Sequence, residues 1–243
     1  MAIKTTINYS PNFEVKRRKK KQVKYLVFHY TGMRSEKLAI DRLTKIQSEV
    51  SSHYLIKKNG EILRLVPDLY VAWHSGKSEW FNKKSLNKNS IGIEVSNKGH
   101  QFGYEKFTLN QIKSLIKLSK ILIKKYKIKQ KNIVGHSDIA FDRKKDPGEK
   151  FPWKVLSKNK IGIWHNLNQL RLKKLRNDFV SKNKIVEFYK DIKKIGYSIK
   201  HLSSIKKRFV VKAFQRRYRP ELINGKIDRE LCYIARKISN SLT

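Results

Sequence analysis

Apolar and polar positions change their period several times along the chain, and each change marks an element. From Val23 to Tyr30 apolar residues fall on both faces, as in a central strand of a covered sheet, and the run ends in His29 just before Thr31-Gly32. Ser52 to Ile56 and Glu61 to Val66 flank Asn59-Gly60, a strong hairpin signal. In Ser90 to Val95, Ile91, Ile93 and Val95 share one strand face, while Gly92 and Glu94 share the other. A short apolar run, Ile133-Val134, then leads into Gly135-His136. Helical spacing appears after Ser35, a plausible N-cap, with Ala39, Leu43 and Ile46, and more clearly after Thr108. There Thr108 and Gln111 form a capping box ahead of Ile112, Leu115, Ile116, Leu122, Ile123 and Tyr126. Past Lys158 the pattern is helical only. One stripe holds Ile185, Phe188, Tyr189 and Ile192 and is closed by Gly196; a second holds Phe209, Val210, Ala213, Phe214 and Tyr218. A third, capped by Asp228, holds Leu231, Ile234, Ala235 and Ile238. The order predicts an α/β unit over residues 23–160, preceded by a basic surface arm over 1–22. A linker over 161–180 and a small helical domain over 181–243, leaning on the larger unit, would follow.

Composition sharpens this picture in two places. Of 243 residues, 39% are hydrophobic and 11% aromatic, enough to build a core and to exclude a disordered chain. The balance of 57 Lys+Arg against 19 Asp+Glu gives a net charge of +38, and nucleic acid is the first partner to consider. The basic residues, however, are mostly lysines spread over the whole length among Asn and Ile, with one dense run from Lys16 to Lys21. A polyanionic wall or membrane surface would attract them equally, so no specific nucleic-acid partner is expected. The single Cys232 excludes an internal disulfide framework. Met1 to Tyr25 carries no apolar run of the length that a signal peptide or membrane span needs. The expectation is therefore a soluble monomer without a transmembrane segment. By default it would be cytoplasmic, with the cell envelope as the alternative.

The candidate chemistry gathers around residues 135–148. His136 leaves a buried strand where the backbone turns outward, and Asp146 sits in an Asp-Pro-Gly turn with little local freedom. Two imidazoles, one carboxylate and one open position make a catalytic zinc site. His29 and His136, each at a predicted strand end, can meet at one sheet edge, with Asp146 completing the set. Zinc would make hydroxide available near neutral pH. Glu94 would then take and return the proton, and Lys144 would stabilise an oxyanion. Bland readings stand beside each of these: a capped core histidine for His29, a solvated edge for Glu94, a solvated lysine for Lys144. Trp73-His74 can hold a sugar or peptide, or can simply pack over the hairpin. Cys232, in a predicted helix far from any histidine, argues against a cysteine nucleophile.

Six motifs in order resemble the type-2 N-acetylmuramoyl-L-alanine amidases, the zinc family related to the peptidoglycan-recognition proteins. They are Phe28-His29-Tyr30-Thr31, Ser52-His53-Tyr54, Ala72-Trp73-His74, Ser90-Ile91-Gly92-Ile93-Glu94, Gly135-His136-Ser137-Asp138-Ile139-Ala140 and Lys144-Lys145-Asp146-Pro147-Gly148. Phe151 and Trp153 also fit. The resemblance implies a mixed central β-sheet flanked by helices, and hydrolysis of the amide between the lactyl group of N-acetylmuramic acid and L-alanine. By it His29, His136 and Asp146 are the zinc ligands, and Glu94 and Lys144 the catalytic pair. Trp73, His74 and Asn87 fall where substrate contacts lie, and His53 matches a family position that is not a ligand. Phe209 to Gln215 and Gly225 to Asp228 resemble a peptidoglycan-binding three-helix domain. Relatives with such a tail resemble an envelope-anchored branch, from which this sequence departs in lacking a lipoprotein signal. Two other readings remain at this point: a module that binds peptidoglycan or a muropeptide without cutting it, and a basic nucleic-acid-binding protein.

Overall fold

The computed structural model describes residues 4–242. Its strands are β1 (Thr6–Ile7), β2 (Phe13–Glu14), β3 (Tyr25–Tyr30), β4 (Tyr54–Ile56), β5 (Ile62–Arg64), β6 (Val71–Ala72), β7 (Glu79–Trp80), β8 (Lys83–Lys84), β9 (Ser90–Val95) and β10 (Ile133–Gly135). Its helices are α1 (Glu36–Thr44), α2 (Leu109–Tyr126), α3 (His136–Ile139), α4 (Trp153–Lys158), α5 (Gln169–Lys174), α6 (Lys182–Ile195), α7 (Ser204–Tyr218) and α8 (Arg229–Asn240). Six strands form one mixed sheet in the order β1-β5-β4-β9-β3-β10. β4, β9, β3 and β10 run parallel, and β5 returns antiparallel through the Asn59-Gly60 turn.

Strand alternation divides the core cleanly between the two faces. Leu26, Phe28, Ile91, Ile93 and Ile133 pack with Leu115, Leu118 and Leu122 of α2. Tyr25, Val27 and Val134 point the other way and pack with Phe188, Val210, Phe214, Leu231 and Ile234 of the tail helices. Because helices cover both faces, β3 has no polar side, which is why it reads as a continuous apolar run. The expected caps are made. Ser35 accepts the Leu38 N–H, Thr108 and Gln111 form their reciprocal box, and Asp228 accepts the Leu231 N–H. Gly196 ends α6 at φ +129°, and a side chain there would strike the Trp80 indole.

Two expectations need correction. The segment read as a surface arm over 1–22, of which residues 1–3 lie outside the described residues, is built into the fold instead. β1 pairs parallel with β5, and β2 pairs with β6. Arg18, inside the supposed basic run, is buried and donates to the Asp68 carbonyl at 2.7 Å and the Asn87 carbonyl at 3.0 Å. Two-residue strands are too short to show a period. The tail does hold the expected three helices, but they share one continuous core with the sheet. The stretch read as a linker over 161–180 contributes α5, with Leu172 buried. Phe188, Val210, Phe214, Leu231 and Ile234 of the tail bury against Tyr25, Val27 and Val134 of the sheet as well as against one another. No helix among the described residues is long and apolar enough to cross a membrane.

Candidate metal centre

Strand register assembles the site. His29 lies directly beside Glu94 in the β3–β9 ladder, and Gly135 beside Phe28 in the β3–β10 ladder, so the next residue, His136, comes level with His29. Three chemically active side chains thus stand abreast at the carboxyl ends of three adjacent parallel strands, the usual place for a site in such a sheet. Asp146 is brought in by its backbone, its carbonyl accepting the Ser137 N–H at 2.7 Å.

His29 Nδ1, His136 Nδ1 and Asp146 Oδ2 lie 3.0 Å from one another in all three pairings, and all three residues are buried. Hydrogen-bond partners on the far side of each ring fix what those atoms are. Nε2–H of His136 donates to the Ser75 carbonyl at 3.1 Å, leaving a lone pair on Nδ1. For His29 the assignment runs through a relay. The Ser90 hydroxyl donates its proton to the Leu86 carbonyl at 2.7 Å, so it accepts from His74 Nε2–H at 3.0 Å. His74 Nδ1 then accepts from His29 Nε2–H at 3.0 Å, and His29 Nδ1 also keeps its lone pair. The triangle is therefore three acceptors with no proton among them. Such a group is stable around a cation; two ligands about 2.0–2.2 Å from a tetrahedral ion stand about 3.3 Å apart, close to what is seen. The donor set fits a metal ion with a fourth position open to the cleft.

The electrostatics agree. Burial, the neighbouring His136 and Lys144 push His29 down to about 4, against the pull of Asp146, so its ring is neutral. Burial works to raise Asp146, but His136 and His29 outweigh it once acid protonates them and hold the carboxyl well below its usual range, so Asp146 stays ionised where both rings are neutral. Glu94 behaves oppositely. Burial first and Asp146 second push it up to about 8, Lys144 opposing, and its buried Oε2 has no hydrogen-bond partner. Two carboxyls held this far apart by their surroundings divide naturally into a ligand and a proton carrier.

These groups line a cleft of about 780 Å³, with Lys144 and Arg143 on one side and Ala39, Arg42 and Leu43 of α1 on another. The Lys144 ammonium has no ion pair or hydrogen bond among the described residues. Of the expected substrate contacts, only His74 lines the cleft, and both its ring nitrogens are already engaged. It positions His29, and it fits because residue 92 is glycine: a Cβ there would lie 2.5 Å from the His74 ring. Asn87 is likewise committed, its Oδ1 accepting the His74 and Ser75 N–H groups and the Ser75 hydroxyl. Trp73, half-buried, does not line the cleft, and its backbone N–H donates to the Ser51 hydroxyl oxygen at 2.9 Å. His53 is not a ligand: it accepts the Gly92 N–H at 3.0 Å and donates to the Tyr70 carbonyl at 3.1 Å, with its pKa pushed down to about 3 by burial and Arg18.

Sequence reasoning assigned no role to Ser90, Arg143 or Asp138. Ser90 ends the relay. Arg143 donates to the Ser75 and Lys77 carbonyls at 2.6 Å, pinning the loop whose carbonyl sets the His136 tautomer. Asp138 accepts the Gly135 N–H at 2.8 Å and fixes the turn from β10 into α3. The available signal for Asp138 and Arg143 was proximity to a ligand in sequence, and for Ser90 only its place on the same strand face as Gly92 and Glu94.

Comparison with known proteins gives one answer throughout. Residues 19–149 match the N-acetylmuramoyl-L-alanine amidase family. The chain is 36% identical over 230 residues to N-acetylmuramoyl-L-alanine amidase AmiD of Escherichia coli, covering 88% of this chain and 81% of that protein. Over 162 residues it is 34% identical to 1,6-anhydro-N-acetylmuramyl-L-alanine amidase AmpD of Haemophilus influenzae, covering 59% of this chain and 85% of that one. The E. coli AmiD structure, a complex with the substrate anhydro-N-acetylmuramic acid-L-Ala-D-gamma-Glu-L-Lys, superposes with a TM-score of 0.78 at 36% identity over 90% of each chain. AmpDh3 of Pseudomonas aeruginosa, in complex with anhydromuramic pentapeptide, superposes with a TM-score of 0.78 at 29% identity, covering 97% of this chain and 98% of that one. With its sheet, its cleft and its converging ligand atoms, the chain belongs to the N-acetylmuramoyl-L-alanine amidase family.

Proposed function

We propose that the chain hydrolyses the amide joining the lactyl group of N-acetylmuramic acid to L-alanine in muropeptides, using zinc held by His29, His136 and Asp146. The observation that carries this reading is the proton-free triangle of three acceptors beside the unpaired carboxyl of Glu94. When bound, zinc supplies Lewis acidity, lowering the pKa of water to about 7 and polarising a carbonyl oxygen. The residues of the chain do the rest. Glu94, held near 8, takes the proton of the attacking water and returns it to the leaving nitrogen of L-alanine. Lys144, unpaired in the cleft wall, stabilises the negative charge that develops on the carbonyl oxygen. The His74–Ser90 relay keeps His29 in the ligating tautomer.

A muropeptide substrate is supported by the relatives crystallised with anhydromuramyl peptides. A hold of the tail on intact peptidoglycan belongs to the same proposal and is tested by co-sedimentation with insoluble wall. The decisive experiment follows free stem peptide released from purified muropeptides before and after chelation. Release should stop on chelation and return with zinc; undiminished release from fully metal-free protein would overturn the reading.

A further inference from the structure

Helix α7 ends in four buried residues, Gln215, Arg216, Arg217 and Tyr218, of which two are arginines. Buried guanidinium groups are costly unless paired, so what they pair with carries meaning. The Arg217 side chain, 3% exposed, forms a close ion pair with Asp138, 1% exposed. Its other terminal nitrogen donates to the Ile133 carbonyl at 3.0 Å, and its Cζ lies 4.1 Å from the Trp153 ring centre. Tyr197, just after α6, donates its hydroxyl to the second Asp138 oxygen at 2.7 Å. Asp138 in turn accepts the Gly135 N–H. From the tail, then, Arg217 and Tyr197 hold β10 at Ile133 and the turn at Gly135, whose next residue is the ligand His136. Gly135 is also enclosed from the other side, since a Cβ there would lie 2.6 Å from Pro147 and 3.3 Å from Trp153. Arg216, next along α7, lies 3.8 Å from Glu149, three residues after the ligand Asp146.

We infer that the tail helices brace the metal centre, with Arg217 and Tyr197 acting as positioning residues for His136 through Asp138. The tail thereby belongs to the amidase site itself, apart from any hold it has on peptidoglycan. The inference rests on the zinc reading above.

The test uses the full chain with zinc as probe, its affinity read by competition with a chromophoric chelator. Tyr197→Phe keeps the ring and removes only the hydroxyl on Asp138. It should weaken zinc binding about tenfold, the low end for partners outside the ligand shell, and lower kcat with KM unchanged. Arg217→Lys, which keeps the charge, should retain more zinc affinity than Arg217→Met. Leu231→Ala, in the same helical layer but not touching Asp138, is the control: it should lower the metal-free unfolding midpoint more than Tyr197→Phe does, yet leave zinc affinity intact. The brace is overturned if Tyr197→Phe binds zinc as tightly as wild type, or if Leu231→Ala loses as much affinity. Wild-type chain that takes up no zinc overturns the metal reading first, and this inference with it.

Discussion

At the scale of single residues, the proposed mechanism divides the centre into groups that hold and groups that react. Glu94→Gln should keep its metal and lose about 10²- to 10⁴-fold in kcat, the usual worth of a general acid–base. The same variant tests the burial of this carboxyl. Its folded value of about 8 lies above the ordinary 4.5, so between the two the native metal-free chain keeps a proton that the unfolded chain has released. Native stability therefore falls as pH rises through that window. Metal-free Glu94→Gln should gain stability relative to wild type from about pH 4.5 to about 8, measured by denaturant titration; a flat difference would mean the carboxyl is well solvated. Lys144→Met should cost about 10²- to 10³-fold in kcat with little change in KM, as loss of one oxyanion partner does. Ser90→Ala frees the relay to adopt the other tautomer, and should weaken zinc about 10- to 100-fold in chelator competition. The meeting of His29, His136 and Asp146 was legible in sequence because strand ends and a rigid Asp-Pro-Gly turn mark them. Sequence did not show that the polar atoms of His74 and Asn87 have partners within the protein, since a side chain that orients a neighbour and one that touches substrate can be the same residue type at the same position.

At the scale of elements, period and caps were sufficient wherever one face met solvent. The stripe and capping box of α2 were legible for that reason, and the hairpin through its Asn-Gly turn although β4 is buried on both faces. α7 was legible as a helix but not in its packing, because a helix tip buried all round has no polar face, and arginines there read as solvated. β9 meets several constraints at once. Its alternate residues Ser90, Gly92 and Glu94 give the relay terminus, the space for His74 and the proposed proton carrier, on one face. Gly92→Ala should destabilise the chain by about 1–3 kcal/mol through overpacking and weaken zinc binding as His74 is displaced. Equilibrium unfolding and chelator competition measure the two effects; stability loss with unchanged affinity would break the proposed link between His74 and His29.

At the scale of the whole molecule, the sheet is shared by two helical layers. Removing residues 161–243 would uncover Tyr25, Val27, Val134 and Ile139 and leave Asp138 without Arg217 and Tyr197. Such a truncation should give insoluble or zinc-free protein; a soluble truncated chain with wild-type zinc affinity would contradict this packing. Independence of the tail could not be judged from sequence, since its stripes look alike whether they meet each other or a sheet. The rung-by-rung alignment of Glu94, His29 and His136 has a further consequence. Neighbouring strands stand about 4.8 Å apart in any sheet, whatever side chains fill the core. The gauge between Glu94 and His29 is thus set by peptide geometry, while His136 and Asp146, beyond the strand ends, keep their places through their own hydrogen bonds. Core-weakening substitutions should leave the centre intact up to the melting point, then abolish it in a single step together with the sheet.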